Sequence, residues 1–266
     1  MQTSIETMAS AIAERLEGRL YGFWLCGSVV LGDFRPGWSD IDFLALAEDP
    51  ISEAQAEALL DLRQRLSAQF PGDPYFRCFE GVIAGLEEYQ TGQLTRLVYW
   101  GSSGQRVTAR WRPDAFTRLE LARYGRCVRG SDDRRLFPPP DRGELLTAVR
   151  AHYEGIRSCA VQTDESLYAC GWLLDLARCV YTLRYWDVIG KTRAGLWALE
   201  EGLFPEEEAL RRTLEIRQSP AAFRDREDVK RWLRSLGPTV QRCADVRERE
   251  LRRAEAAADR EAFSGA

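Results

Sequence analysis

Two short apolar runs, residues 21–26 and 43–47, bracket a stretch rich in structure breakers and acids: Gly27-Ser28-Val29-Val30-Leu31-Gly32-Asp33-Phe34-Arg35-Pro36-Gly37-Trp38-Ser39-Asp40-Ile41-Asp42. Short apolar runs bounded by turn signals read as buried strands, and Gly32, Pro36 and Gly37 mark the intervening loop. The order is therefore strand, Gly-Ser turn, loop, and a strand that opens on two carboxylates. Side chains of a strand alternate faces, so Asp40 and Asp42 share one face and Ile41 takes the other. Two carboxylates on one face repel unless a cation lies between them. Mg²⁺ suits such a pair, because it takes hard oxygen ligands and is usually held by one or two carboxylates plus substrate phosphates. Gly27 lets the backbone come close to a phosphate, Ser28 offers a hydroxyl donor, and backbone N–H groups in such a turn make an anion site. With Ser39 beside the acids, the layout fits a holder for a metal-bound nucleoside triphosphate. A surface hairpin with a solvated acidic end is the plain alternative, but it leaves the Gly-Ser turn and both apolar flanks unexplained.

A third acid stands out downstream. Glu80 lies in Phe79-Glu80-Gly81-Val82-Ile83-Ala84, a charged residue in an otherwise apolar strand. Burying it unpaired would be costly, and a metal or a substrate hydroxyl would account for its presence. A solvent-facing strand position is the competing reading. Glu87 and Glu88 lie in a more polar, loop-like context.

The remaining pattern divides the chain. Residues 4–18 have helical periodicity, and Ser52 is a candidate N-cap for a helix through about residue 70. Strands are expected at 75–84, 96–100 and 106–111, with a turn at 101–104, a helix at 114–124 and a last short strand at 126–130. Residues 131–141 are polar and contain Pro138-Pro139-Pro140, which reads as a linker. Beyond it the pattern is helical, at roughly 142–161, 164–186, 191–202, 205–218 and 226–256. The expected fold class is α+β: a mixed sheet flanked by helices over 1–137, then an all-α helical bundle over 138–266.

Composition narrows the partners. The 266 residues are enough for one large domain or two modest ones. The formal net charge of −4 weighs against a DNA or RNA partner and suits a cationic small molecule. Lys191 and Lys230 are the only lysines, so a lysine here stands out as a point charge. Seven scattered cysteines without a CxxC read as buried thiols in a reducing compartment. The one histidine, His152, cannot build a histidine metal site or a serine-type triad and is expected on a helix surface. The first residues do not follow a secretory-signal pattern, and the apolar runs are too short to cross a bilayer. A cytoplasmic chain without a membrane partner is the expectation; the sequence does not fix its oligomeric state, and a monomer fits.

The Gly-Ser pair, a spacer of about ten residues and Asp-x-Asp together resemble the signature of the nucleotidyltransferase superfamily that includes DNA polymerase beta. The phrase LCGSVVLGDFRPGWSDIDFLAL resembles bacterial aminoglycoside nucleotidyltransferases, and among them the streptomycin/spectinomycin adenylyltransferases. The phrases LARCVYTL and GKTRAGLWAL, within residues 172–199, resemble the C-terminal domain of the same family. The resemblance implies two Mg²⁺ ions held by Asp40 and Asp42, ATP as co-substrate, and a polyhydroxylated small-molecule acceptor such as an aminoglycoside or aminocyclitol. It implies that Gly27, Ser28 and Ser39 bind the nucleotide and that Glu80 is the catalytic base or a third acidic ligand. It further implies that Arg178 and Lys191 contact the ATP phosphates, where cations favour the departing pyrophosphate.

From the residues alone, Arg178 is equally suited to a salt bridge with Asp175 or Asp187, and Lys191 to an exposed helix start. The chain has Gly190-Lys191-Thr192 where the family has Ser-Lys-Asp. The family's acceptor-binding acid falls near Tyr168, with Asp164, Glu165 and Asp175 close by, and Trp100 and Trp111 are candidates for its tryptophan. A protein or RNA acceptor and a non-catalytic nucleotide-binding module are the alternatives.

Overall fold

The computed structural model describes residues 1–101 and 104–264. The chain forms two compact units, one of Met1–Gly32 with Ser39–Pro139, the other of Asp33–Trp38 with Pro140–Ala266.

The first unit is a six-stranded mixed sheet in the order β5-β4-β3-β2-β1-β6. Its strands are β1 (Leu20–Leu25), β2 (Ile41–Ala47), β3 (Phe79–Gly85), β4 (Leu97–Gly101), β5 (Gly104–Thr108) and β6 (Arg126–Gly130). Among the described residues, only β2 and β3 pair in parallel, and the other neighbours are antiparallel. A parallel pair needs a crossover, which α3 (Glu53–Leu60) and α4 (Leu62–Gln69) supply after α1 (Gln2–Arg15) and the single turn α2 (Gly27–Val30). α5 (Leu86–Thr91) and α6 (Ala115–Arg123) complete the unit. Strands β1 and β2 are buried along almost their whole length, as near-continuous apolar runs require. On the face shared by Leu44, Leu46, Val82 and Ala84, the core also takes in Trp24, Leu97 and Leu121.

The second unit is helical: α7 (Arg142–Cys159), α8 (Tyr168–Tyr185), α9 (Lys191–Glu200), α10 (Glu207–Gln218), α11 (Pro220–Phe223), α12 (Glu227–Arg234) and α13 (Gly237–Ser264). Helix α8 is apolar on nearly all sides and is buried accordingly. Leu173, Leu174, Leu176 and Ala177 pack with Ile156, Ile216, Leu233 and Val240.

Several elements differ from the sequence pattern for physical reasons. The helix expected over 52–70 turns at Asp61, whose backbone (φ −105°, ψ 5°) leaves the helical region. Leu59 and Leu62 on either side of that turn both reach the core. The expected 226–256 helix breaks after Arg234, where Gly237 comes so close to the Ala160 carbonyl that a Cβ would lie 2.7 Å from it. The strand expected from residue 75 is preceded by a 3₁₀ turn, Phe76–Cys78. The polar linker contains Leu136 and Phe137, both buried in the sheet core. The expected turn at 101–104 closes with Gly101 opposite Gly104, while Ser102 and Ser103 lie outside the described residues. His152 is exposed on α7. All seven cysteines are free thiols; Cys26, Cys170, Cys179 and Cys243 are buried, whereas Cys159 is exposed.

Candidate active site

The sheet unit brings its acids together through strand register. Asp42 on β2 and Glu80 on β3 are direct partners in the parallel pair, so both side chains leave the same face. That face is the one on which Leu44, Leu46, Val82 and Ala84 meet α6. Asp40 is exposed just before β2, Ser39 beside it is buried, and Asp42 and Glu80 are half-buried.

The Gly-Ser turn is stitched to the same strand. Cys26 N–H donates to the Asp42 carbonyl at 3.0 Å, and the Ser28 hydroxyl donates to the Asp40 carbonyl at 3.2 Å. Gly27 opens α2 at φ +63°, in the left-handed region. A Cβ there would also collide with the Asp42 carboxylate. Both facts require glycine. The Gly27 amide donates to Glu120 Oε2 at 3.0 Å. Glu120 is buried on α6, and the sequence reading did not find it. The one signal was its place between Leu119 and Leu121. The acidity of this corner registers on Cys26: burial first, then the charges of Asp42, Glu120 and Asp114, push its thiol well above the ordinary value.

Glu80 has its own neighbours. The Tyr99 hydroxyl on β4 donates to Glu80 Oε1 at 3.3 Å, and burial, then the Glu80 charge, raise the phenol above its ordinary value. Arg63 Nη1 on α4 donates to the Phe79 carbonyl at 2.7 Å. Burial lowers the Arg63 guanidinium from its ordinary value, against the opposing charges of Glu80 and Asp40. Arg106 lies over the Tyr99 ring, 4.2 Å from its centroid.

Among the described residues, no three His, Cys, Asp or Glu side chains converge into a group that could hold a metal ion. Mg²⁺ does not need such a cage, since one or two carboxylates suffice when phosphates complete its shell. Asp40 and Asp42, all-oxygen donors beside a glycine turn, fit that mode.

In the helical unit, Asp175 is buried on α8. Lys191 Nζ lies 2.9 Å from its Oδ2 and Arg178 Nη1 lies 3.7 Å from its Oδ1. Arg178 Nε also donates to the Ile189 carbonyl at 3.0 Å. Burial raises the Asp175 carboxyl, but Lys191, Arg178 and His152 outweigh it and hold the group below the usual carboxylate range. Both sequence-nominated cations thus share one buried acid. A second buried pair was not foreseen: Arg217 Nη2 meets Asp33 Oδ2 at 2.9 Å, with side chains 1% and 3% exposed. The same oxygen accepts from the Thr192 amide at the start of α9. Tyr168 is 67% exposed, while Trp100 is wholly buried with its ring edge-to-face on Phe43, so it presents no surface to an acceptor. Trp111 packs against the sheet core.

Residues 5–77 match the family model of the nucleotidyltransferase domain. The matched segment includes Gly27, Ser28, Asp40 and Asp42 and ends just before Glu80. Among solved structures, the chain is similar to a spectinomycin adenyltransferase, AAD(9), from Enterococcus faecialis, crystallised with ATP and spectinomycin. The two are 18% identical with a TM-score of 0.61, over 90% of this chain and 98% of that one, which is a likeness of fold. The sequence resemblance to nucleotidyltransferases of the aminoglycoside adenylyltransferase type therefore holds at the level of domain and fold. No curated protein matches the chain.

Proposed function

We propose that the protein is a Mg²⁺-dependent nucleotidyltransferase that moves AMP from ATP to a hydroxyl of a small polyhydroxylated, cationic acceptor of the aminoglycoside or aminocyclitol class. The observation that carries this reading is the pairing of Asp42 with Glu80 across two parallel strands, with Asp40 and the Gly27 turn at the same strand end. Mg²⁺, held by Asp40 and Asp42, would supply charge neutralisation and orientation of the phosphates. Glu80 takes the proton of the acceptor hydroxyl as that oxygen bonds to the α-phosphorus. The bond from the α-phosphorus to the bridging oxygen breaks, and pyrophosphate leaves with the electron pair. Ser28 and Ser39 are assigned to the nucleotide, and Arg178 and Lys191 to the phosphates. Residues 1–137 are assigned the catalytic role and 138–266 the acceptor and nucleotide-closing role. Positioning and charge neutralisation carry most of such a reaction. The acceptor class is supported by the fold shared with the spectinomycin enzyme and by the acidic balance of the chain.

The test is pyrophosphate release from ATP and Mg²⁺ with a panel of aminoglycosides and aminocyclitols, spectinomycin and streptomycin included. Release that depends on one compound and vanishes in Asp40→Asn supports the reading. Release unaffected by Asp40→Asn overturns the metal assignment, and no release with any panel member overturns the acceptor class.

A further inference from the structure

Gly27 has carboxylates on two sides. Asp42 crowds the position a Cβ would occupy, and Glu120 accepts the amide hydrogen at 3.0 Å. Glu120 is 6% exposed, and it reaches Gly27 across 93 residues of sequence. A carboxylate buried between Leu119 and Leu121 of α6 is costly unless hydrogen-bonded, and the Gly27 amide supplies such a bond. The turn it holds is a single helical turn, Gly27–Val30, whose N-cap, Cys26, makes no side-chain cap bond. Four residues with a left-handed start do not hold themselves in a helix. Beside the Cys26 and Ser28 bonds to the Asp42 and Asp40 carbonyls, the Glu120 acceptor ties the first amide of the turn to α6.

We propose that Glu120 is a positioning residue of the nucleotidyl-transfer site, its carboxylate anchoring the Gly27 amide so that the Gly27–Val30 turn holds Ser28 and backs Asp42 in the geometry the reaction uses. This rests on the function proposed above. The anchor is a hydrogen-bond acceptor at a defined reach, so substitutions sort by reach and by acceptor rather than by charge. Gln keeps both reach and acceptor, Asp keeps the charge but falls short by one methylene, and Ala keeps neither.

The experiment pairs amide hydrogen exchange over residues 26–31 with steady-state kinetics in ATP, on the full-length wild type, Glu120→Gln, Glu120→Asp and Glu120→Ala. The expected result is faster exchange in that segment by roughly tenfold or more in the Asp and Ala variants, as a locally opened turn gives. In those two kcat falls about 10- to 100-fold, the scale of a misplacement near 1 Å, while KM for ATP stays within about threefold. Glu120→Gln stays near wild type in both readouts. Should the Ala variant fail to fold, the Asp variant carries the comparison. Unchanged exchange in the Asp variant, faster exchange with kcat intact, or a Gln variant as impaired as Ala each overturns the proposal. If the wild type turns over no acceptor, the proposed function falls, and the exchange profile alone decides whether Glu120 anchors the turn.

Discussion

Among the described residues of the helical unit, the buried carboxylates are matched to nearby cations: Asp175 to Lys191 and Arg178, and Asp33 to Arg217, with the Thr192 amide as a further donor. In the sheet unit, Asp40, Asp42, Glu80 and Glu120 gather around one strand end. Their neighbours there include main-chain groups, the Tyr99 phenol and the guanidinium of Arg63. The first arrangement fixes a fold, because separating a buried pair leaves an uncompensated charge. The second concentrates like charge where a divalent cation and phosphates would relieve it. On the function proposed above, acids of one chemical type serve as structure in one region and as chemistry in the other.

The sharpest way to break this contrast is to neutralise an acid in each region. Asp42→Asn is expected to lower pyrophosphate release by about 10³-fold or more, the scale of several kcal/mol of lost charge stabilisation. Its urea midpoint should stay close to wild type. Glu80→Gln should cost about 10²- to 10⁴-fold in kcat, the range for removing a general base, again with the fold intact by circular dichroism. Arg217→Met should do the reverse, destabilising the helical unit by about 3–5 kcal/mol in urea unfolding because Asp33 stays buried without its cation. A result in which Asp42→Asn unfolds the chain, or Arg217→Met leaves stability untouched, would erase the distinction.

Acid titration sharpens the same comparison at smaller amplitude. Asp33 is lowered against its burial by the Thr192 hydrogen bonds and the Arg217 charge, and Asp175 is lowered against its burial chiefly by Lys191. Carboxyls that titrate lower in the folded than in the unfolded chain add stability that is complete above the unfolded value, about pH 4. That stability fades as pH falls through the folded values. The urea midpoint should therefore drop on acidification below about pH 4, and Asp175→Asn should flatten that limb. The smallest effect expected is for Tyr99→Phe, which removes one long hydrogen bond to Glu80. A fewfold change in kcat would measure it.

What could be read from sequence was what lies close in sequence. Asp40, Asp42, Gly27 and Ser28 fall within one loop and its flanks, so alternation and glycine chemistry place them without a fold. Glu80 was legible because a charge interrupts an apolar strand. Glu120 was not, because its partner is an amide 93 residues away and its own helix carries many charges. The Asp33–Arg217 pair spans 184 residues and leaves no periodic trace. The sheet and the helices followed the hydrophobic periods. The breaks at Asp61 and Gly237 did not; at Gly237 the backbone lies close against the Ala160 carbonyl, a contact distant in sequence.

The placement of Asp33–Trp38 bears on how such a chain can be inherited. These residues lie inside the Gly-Ser to Asp-x-Asp signature in sequence, yet belong to the helical unit. There Arg217 stacks over Trp38, 5.3 Å from the ring centroid, and the edge of the indole lies against Gly171. A gene fragment starting at Pro140 would encode Arg217 without its counter-ion and a core without Trp38. A single crossover between relatives at residues 139 and 140 would likewise part a guanidinium from its acid. A chimera that takes the signature loop from one source and helix α10 from another is therefore expected to lose stability in its helical unit, even where the sheet unit folds.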